Sequence, residues 1–122
     1  MSSIKVSLLA TDRLVWSGPA TSVVLKTLEG ELGILAGHVP MLSSLAIGPV
    51  IITKDDGSKF MAAVHGGFVT VDQNEVTIFA QRCELAEEID VSRAKEAIVD
   101  SPQDLDRVKR NEVRLLVAGK PA

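Results

Sequence analysis

Cysteine occurs once in the 122 residues, at Cys83, which rules out an internal disulfide and a cysteine-based metal cluster and agrees with a reducing cytoplasm. A lone thiol of this kind usually fills a buried apolar site. Histidine is almost as scarce, with only His38 and His65, and no cysteine pair or closely spaced carboxylate set accompanies either one as a zinc site would require. No serine or cysteine stands at nucleophile-elbow spacing, and no phosphate loop of the Gly-x4-Gly-Lys-Ser/Thr type occurs, so catalysis by this chain alone is not expected. No apolar run approaches the roughly 18 residues of a membrane span. The opening Met1-Ser2-Ser3-Ile4-Lys5-Val6 lacks an apolar signal core or an Arg-rich presequence, so the chain is expected to stay where it is made. Positive charge is also short: a formal net charge of −3 and a pI near 5.3 leave no basic footprint for nucleic acid.

What remains is ordinary globular material. A mass of 13.0 kDa, 46% hydrophobic and 24% charged residues fit one core with a small appendage. Residues 1–88 carry 6 basic and 10 acidic groups, whereas residues 89–122 carry 7 and 6, so the positive charge sits at the far end. Ile4, Val6 and Leu8 alternate with Lys5 and Ser7 at the period of a half-buried strand. Further short strands are expected at Leu14–Trp16, Thr21–Thr27, Val50–Thr53, Lys59–Val64, Phe68–Val71 and Val76–Ala80. Gly18-Pro19, Gly48-Pro49, Asp55-Asp56-Gly57 and Asp72-Gln73-Asn74 read as turns, and Gly66-Gly67 as a bulge or close backbone crossing. This spacing predicts an all-β sandwich of eight to ten strands in two sheets, over residues 1–88.

After Cys83 the period becomes helical. Asp90 suits an N-cap for a helix through Ala94, Ala97 and Ile98. Ser101 and Pro102 are expected to open a second helix, about Gln103 to Ala118, whose stripe of Leu105, Val108, Leu115 and Leu116 would pack on the first. The fold class is therefore mainly β with a small α appendage, an antiparallel two-helix hairpin over residues 89–122. Two helices this short bury too little to stand alone against a backbone entropy cost of about 1 to 2 kcal/mol per residue. They must dock, and a small gap between docked and extended forms would make them a switch.

The richest stretch is Glu29-Gly30-Glu31-Leu32-Gly33-Ile34-Leu35-Ala36-Gly37-His38-Val39-Pro40, in which three glycines and a proline shape a short strand and a pinned loop bearing Glu29, Glu31 and His38. This run, with Gly66-Gly67-Phe68 and Ile89-Asp90-Val91-Ser92-Arg93-Ala94 in the same order, resembles the epsilon subunit of the rotary proton-translocating ATP synthase. The likeness spans nearly all of the chain. It departs from the family at Ala36, where proline is common, and at His65, where serine is usual.

The resemblance implies a non-catalytic subunit, peripheral on the cytoplasmic face of a bacterial membrane and touching the membrane only indirectly. It couples proton flow through the c ring to ATP synthesis, with Glu31 meeting the ring and His38 lying near gamma. It also implies C-terminal helices that modulate hydrolysis by transient contact with the catalytic beta subunits. Arg107, Lys109, Arg110, Arg114 and Lys120 make the last helix basic, with Arg110 and Arg114 as the regulatory cations. No cofactor is required, but Asp90, Arg93 and Ala94 match the segment with which some members bind ATP as a regulatory ligand. Guanidinium geometry suits Arg93 to phosphate, while Asp90 as a helix cap with Arg93 in solvent is the alternative. Asp100 stands where a further arginine would be expected. A competing class is a free-standing ATP-sensing module acting through the hairpin.

Overall fold

The computed structural model describes residues 3–119; Met1, Ser2 and residues 120–122 lie outside the described residues, and Lys120 with them. In order, the elements are β1 (Ile4–Ala10), β2 (Leu14–Thr27), β3 (Gly30–Leu35), β4 (Met41–Lys54), β5 (Lys59–Asp72), β6 (Glu75–Ala80), β7 (Cys83–Glu84), a single 3-10 turn at Ala86–Glu88, α1 (Val91–Asp100) and α2 (Leu105–Val117).

Among the described residues there are seven strands, hydrogen-bonded as one continuous sheet, rather than eight to ten in two. Neighbouring strands run β1-β6-β5-β4-β2, and β1 also pairs with β2, so the sheet closes on itself as a flattened barrel. β3 continues from the outer edge of β2, and β7 pairs with β5. The count is lower because β2, β4 and β5 are each 14 residues long: β2 and β5 each join two of the expected strands, and β4 extends the expected Val50–Thr53 back to Met41. A straight strand of that length would run about 46 Å, longer than a body with a radius of gyration near ~14 Å is wide. The long strands must bend.

Glycine makes the bends affordable. At Gly67, φ is +123° and an added Cβ would sit 1.9 Å from the backbone oxygen of Phe79, so only hydrogen fits where β5 crosses β6. The core residues of β5 are even-numbered before this point (Ala62, Val64) and odd-numbered after it (Val69, Val71); the glycine pair shifts the pleat by one residue, as a bulge does. Gly48 likewise lies where the Cβ of Lys26 crosses, 2.8 Å from where its own Cβ would stand. Gly18-Pro19 and Gly48-Pro49 are therefore bends inside strands, not turns between them. The other turns form as the sequence predicts: Gly57 has φ +86°, and Gln73 and Asn74, both at positive φ, make the two-residue link of β5 to β6, a primed hairpin turn.

The core of the barrel is apolar and drawn from every strand, with Val6, Leu8, Val23, Ile34, Ile52, Val69 and Ile78 fully buried and Cys83 among them. Burial pushes the Cys83 thiol up to about 11, so it stays protonated and unreactive.

α1 begins where expected, the Asp90 carboxylate accepting from the Arg93 amide at 3.1 Å. α2 does not begin at Ser101-Pro102. Its cap is Asp104, whose carboxylate accepts from the Arg107 amide at 3.1 Å; an Asp with a free carboxylate outcompetes Ser101, whose hydroxyl is taken by Arg107 Nη1 at 3.0 Å. The expected stripe is also displaced. Leu105 is 76% exposed and Leu116 48%, while Asn111, Val113, Leu115 and Val117 are buried. Val113 and Val117, one turn apart, pack on Ala63 of β5 with Ile47 and Ile89 at the margin. Asn111 and Leu115 lie on nearly the opposite side of the helix, and the buried Ala94 and Ala97 belong to the neighbouring α1. α2 is thus covered from two sides, by the sheet and by α1.

Candidate functional site: an arginine-lined cavity between hairpin and sheet

Where the hairpin meets the sheet, a cavity of about 370 Å³ is lined by five arginines, Arg82, Arg93, Arg107, Arg110 and Arg114, and by the carboxylates of Glu84, Glu88 and Asp90. Ala94 and Ala97 form its apolar wall, with Asn111 beside them. Every carboxylate has a partner. Asp90 caps α1. Glu88 Oε1 accepts from the Leu85 amide at 2.9 Å and from Arg13 Nη2 at 2.7 Å, tying the start of β2 to the segment before α1. Glu84 Oε1 accepts from both Arg114 Nε at 2.7 Å and His65 Nε2 at 2.8 Å.

From Glu84 a chain of hydrogen bonds runs along α2. Arg114 Nη1 donates to Asn111 Oδ1 at 2.9 Å, Asn111 Nδ2 donates to the Arg107 carbonyl at 2.8 Å, and Arg107 Nη1 donates to Ser101 Oγ. Burial by itself would push the Glu84 carboxyl up, but the hydrogen bonds from Arg114 and His65 together outweigh it and hold the pKa below the usual carboxylate value. Among the described residues Arg82, Arg93, Arg107 and Arg110 have no ion pair. Four guanidinium groups without an ion-pair partner around one cavity are donors of the kind a polyanion would need. Among the described residues no three His, Cys, Asp or Glu side chains group as a metal site.

Asp90, Arg93, Ala94, Arg110 and Arg114, singled out in the sequence, come together at this cavity. Glu31 and His38 do not. Glu31 is exposed on β3 opposite Lys26. His38 follows that strand on a loop held by three contacts: its own amide donates to the Leu35 carbonyl at 3.1 Å, its ring Nδ1 lies 2.7 Å from the Val39 carbonyl, and the Gly37 amide donates to Asn74 Oδ1 at 2.7 Å. Around it Leu35, Val39 and Leu42 are exposed. On the outside of the same barrel, Phe68 and Phe79 stack with ring centroids 4.7 Å apart and remain partly exposed.

Arg82, Glu84, His65 and Asn111 were not singled out as site residues by sequence reasoning. Asn111 carried a signal, a polar residue on the helical stripe of Val108 and Leu115. His65 carried another, as the histidine where the resembling family has serine.

Residues 3–86 match the family described as ATP synthase, Delta/Epsilon chain, beta-sandwich domain. The protein named ATP synthase epsilon chain from Rhodococcus opacus is 46% identical over 109 residues, covering 88% of this chain and 89% of the relative. Among solved structures, a chain of the Euglena gracilis mitochondrial ATP synthase, in an assembly of OSCP, F1 and c ring, superposes with a TM-score of 0.75 at 28% identity, over 94% of this chain and 76% of that one. A chain of the Tetrahymena thermophila mitochondrial ATP synthase central stalk and c ring shares the fold, with a TM-score of 0.61 at 19% identity over 88% and 94%.

Proposed function

The chain belongs to the ATP synthase delta/epsilon family, and from that membership we propose that it works as the epsilon-type central-stalk subunit, joining gamma to the c ring so that proton flow drives ATP synthesis. As an epsilon chain it is a subunit other than the catalytic one. The observation that carries the docking role is the pinned loop around His38, where Leu35, Val39 and Leu42 stand exposed on a closed, rigid sheet. Exposed apolar groups fixed on a stiff scaffold need no ordering when a partner covers them. Glu31 on the same edge supplies an acidic contact for basic ring loops, giving specificity more than affinity. Among the described residues no helix is long and apolar enough to cross a membrane; the peripheral position on the cytoplasmic face belongs to the proposed role. The test is association with purified gamma. A one-to-one complex that Leu42→Asp weakens is the expected result, and separate elution of the wild-type chain overturns the reading.

The hairpin would restrain ATP hydrolysis by reaching the catalytic beta subunits through Arg110 and Arg114. In the docked form Arg114 is held by Glu84, so that role requires release from the sheet. Hydrolysis by the reconstituted head should rise when the chain is truncated after Glu88; equal rates with full-length and truncated chains would remove the inhibitory role.

The cavity favours a second reading, in which ATP binds as a regulatory ligand and the hairpin's response is the whole function. Asp90, Arg93 and Ala94 would hold it, with Arg82, Arg107 and Arg110 as added phosphate donors. Calorimetry should give binding that Arg93→Ala weakens roughly tenfold or more, as loss of a charged hydrogen bond does. No heat from the wild type dismisses the ligand.

A further inference from the structure

His65 lies on β5 immediately before the glycine pair, with its side chain only 4% exposed. Its partner Glu84 is a carboxylate and can only accept, so Nε2 carries the hydrogen and Nδ1 carries a lone pair. Among the described residues, Nδ1 of His65 is the one buried side-chain polar atom without a hydrogen-bond partner. A proton placed there would be a buried cationic donor with no acceptor, an arrangement that costs far more than an unmade neutral bond. It would also sit beside Arg114, which shares the same oxygen of Glu84.

The charged surroundings agree from every side. β7 supplies Glu84, the segment before it Arg82, and α2 Arg114. Asp106, Lys109 and Arg110 of α2 line the adjoining cavity with His65, whereas β4 contributes only Leu45, Ala46 and Ile47 there. Cations outnumber carboxylates around the ring. His65 shares the face of β5 that carries Ala63, the residue on which Val113 and Val117 rest, so lifting α2 away opens Nδ1 to water.

We propose that His65 is a proton-operated catch for the hairpin: neutral, it lets α2 lie closed on the sheet through Glu84, and a proton taken up at Nδ1 favours the released form. Burial is the main influence holding the docked imidazole below its ordinary pKa; the Glu84 hydrogen bond opposes it, and Arg114 and Arg82 add to it. Released into water, the ring returns to about 6.5. The docked form is therefore fully favoured above that ordinary value and loses ground as pH falls from it toward the docked pKa. Each unit between the two values is worth about a factor of ten in the docking equilibrium. The inference stands on the docked geometry and does not depend on what fills the arginine cavity.

The test uses the full chain. Imidazole resonances of His65 are followed by NMR through a pH titration, and amide-exchange protection of α2 is measured at about pH 7.5 and 5.5 against the intrinsic rates. His65 is expected to titrate below a histidine in a short peptide, and α2 protection to fall at least about threefold relative to β6 across that window. In His65→Gln, whose amide can still donate to Glu84, α2 protection should lose that pH dependence. Titration of His65 at or above the peptide value overturns the proposal, and so does an unchanged pH dependence in His65→Gln. If that variant does not fold, the wild-type titration decides alone.

Discussion

The closed sheet and the helical hairpin are held by different forces. Among the described residues eighteen buried apolar side chains drawn from all seven strands form the barrel's core, whereas the hairpin meets the sheet through a small apolar cluster of Ala63, Val113 and Val117 with Ile47 and Ile89 and through the charged network of Glu84, Arg114 and His65. Apolar burial stabilises at roughly 25 cal/mol per Å² regardless of orientation and fades only when the whole body opens. A charged network is directional and answers to pH, salt and competing ions. The same chain therefore joins a part built to keep its shape to a part whose attachment can be negotiated.

The contrast can be broken most forcefully at Gly67. Gly67→Ala puts a methyl on the Phe79 carbonyl at a positive φ, and a loss of about 3 kcal/mol or more of global stability is expected in urea unfolding. A smaller loss would mean that the crossing can relax. Next comes Glu84→Gln, which leaves Arg114 and His65 without their carboxylate; about 2 kcal/mol should be lost, confined to α1 and α2 in hydrogen exchange while the strands keep their protection. Loss spread evenly over the barrel would erase the distinction between the two parts. Acid sharpens it further. Both His65 and Glu84 have depressed pKa values when docked, so docking is strongest above the ordinary imidazole range, weakens first as His65 takes its proton and again as pH falls through the docked pKa of Glu84. Circular dichroism and exchange should show the hairpin loosening before the sheet. The smallest effect belongs to Gly33, where an added Cβ would meet nothing within 4 Å; Gly33→Ala should change stability by less than about 0.5 kcal/mol, and a larger loss would show that β3 depends on glycine there.

Legibility from sequence follows the same division. Alternation gave β1 correctly, and Asp90 as a cap, because both are local: the side chain and the amide it satisfies are three residues apart. The turn readings failed at Gly18 and Gly48, since glycine beside proline signals a turn locally, and only the approach of another strand reveals a bend within a continuous one; Gly66-Gly67 reads correctly as a bulge or crossing, but the runs on either side of it belong to one strand. At Ser101 the local signal was real but lost to Asp104, because Arg107 takes the serine hydroxyl. Leu105 and Leu116 misled because an apolar residue on a helix marks a face only when the neighbour's position is known. The cavity was half visible. Ile89 through Ala94 resembled a known motif, but Arg82 and the pairing of Glu84 with Arg114 across 30 residues arise from tertiary approach, which no window along the chain contains.

The amide of Gly37 held by Asn74 joins the loop bearing His38 to the tight hairpin of β5 and β6, and the Asn74 carbonyl in turn accepts from Lys5 of β1 at 2.8 Å. One residue, through its side chain and its own carbonyl, thereby braces three distant stretches of backbone. A sideways push on that loop would reach the first and sixth strands with little slack between, as load reaches a beam through a gusset.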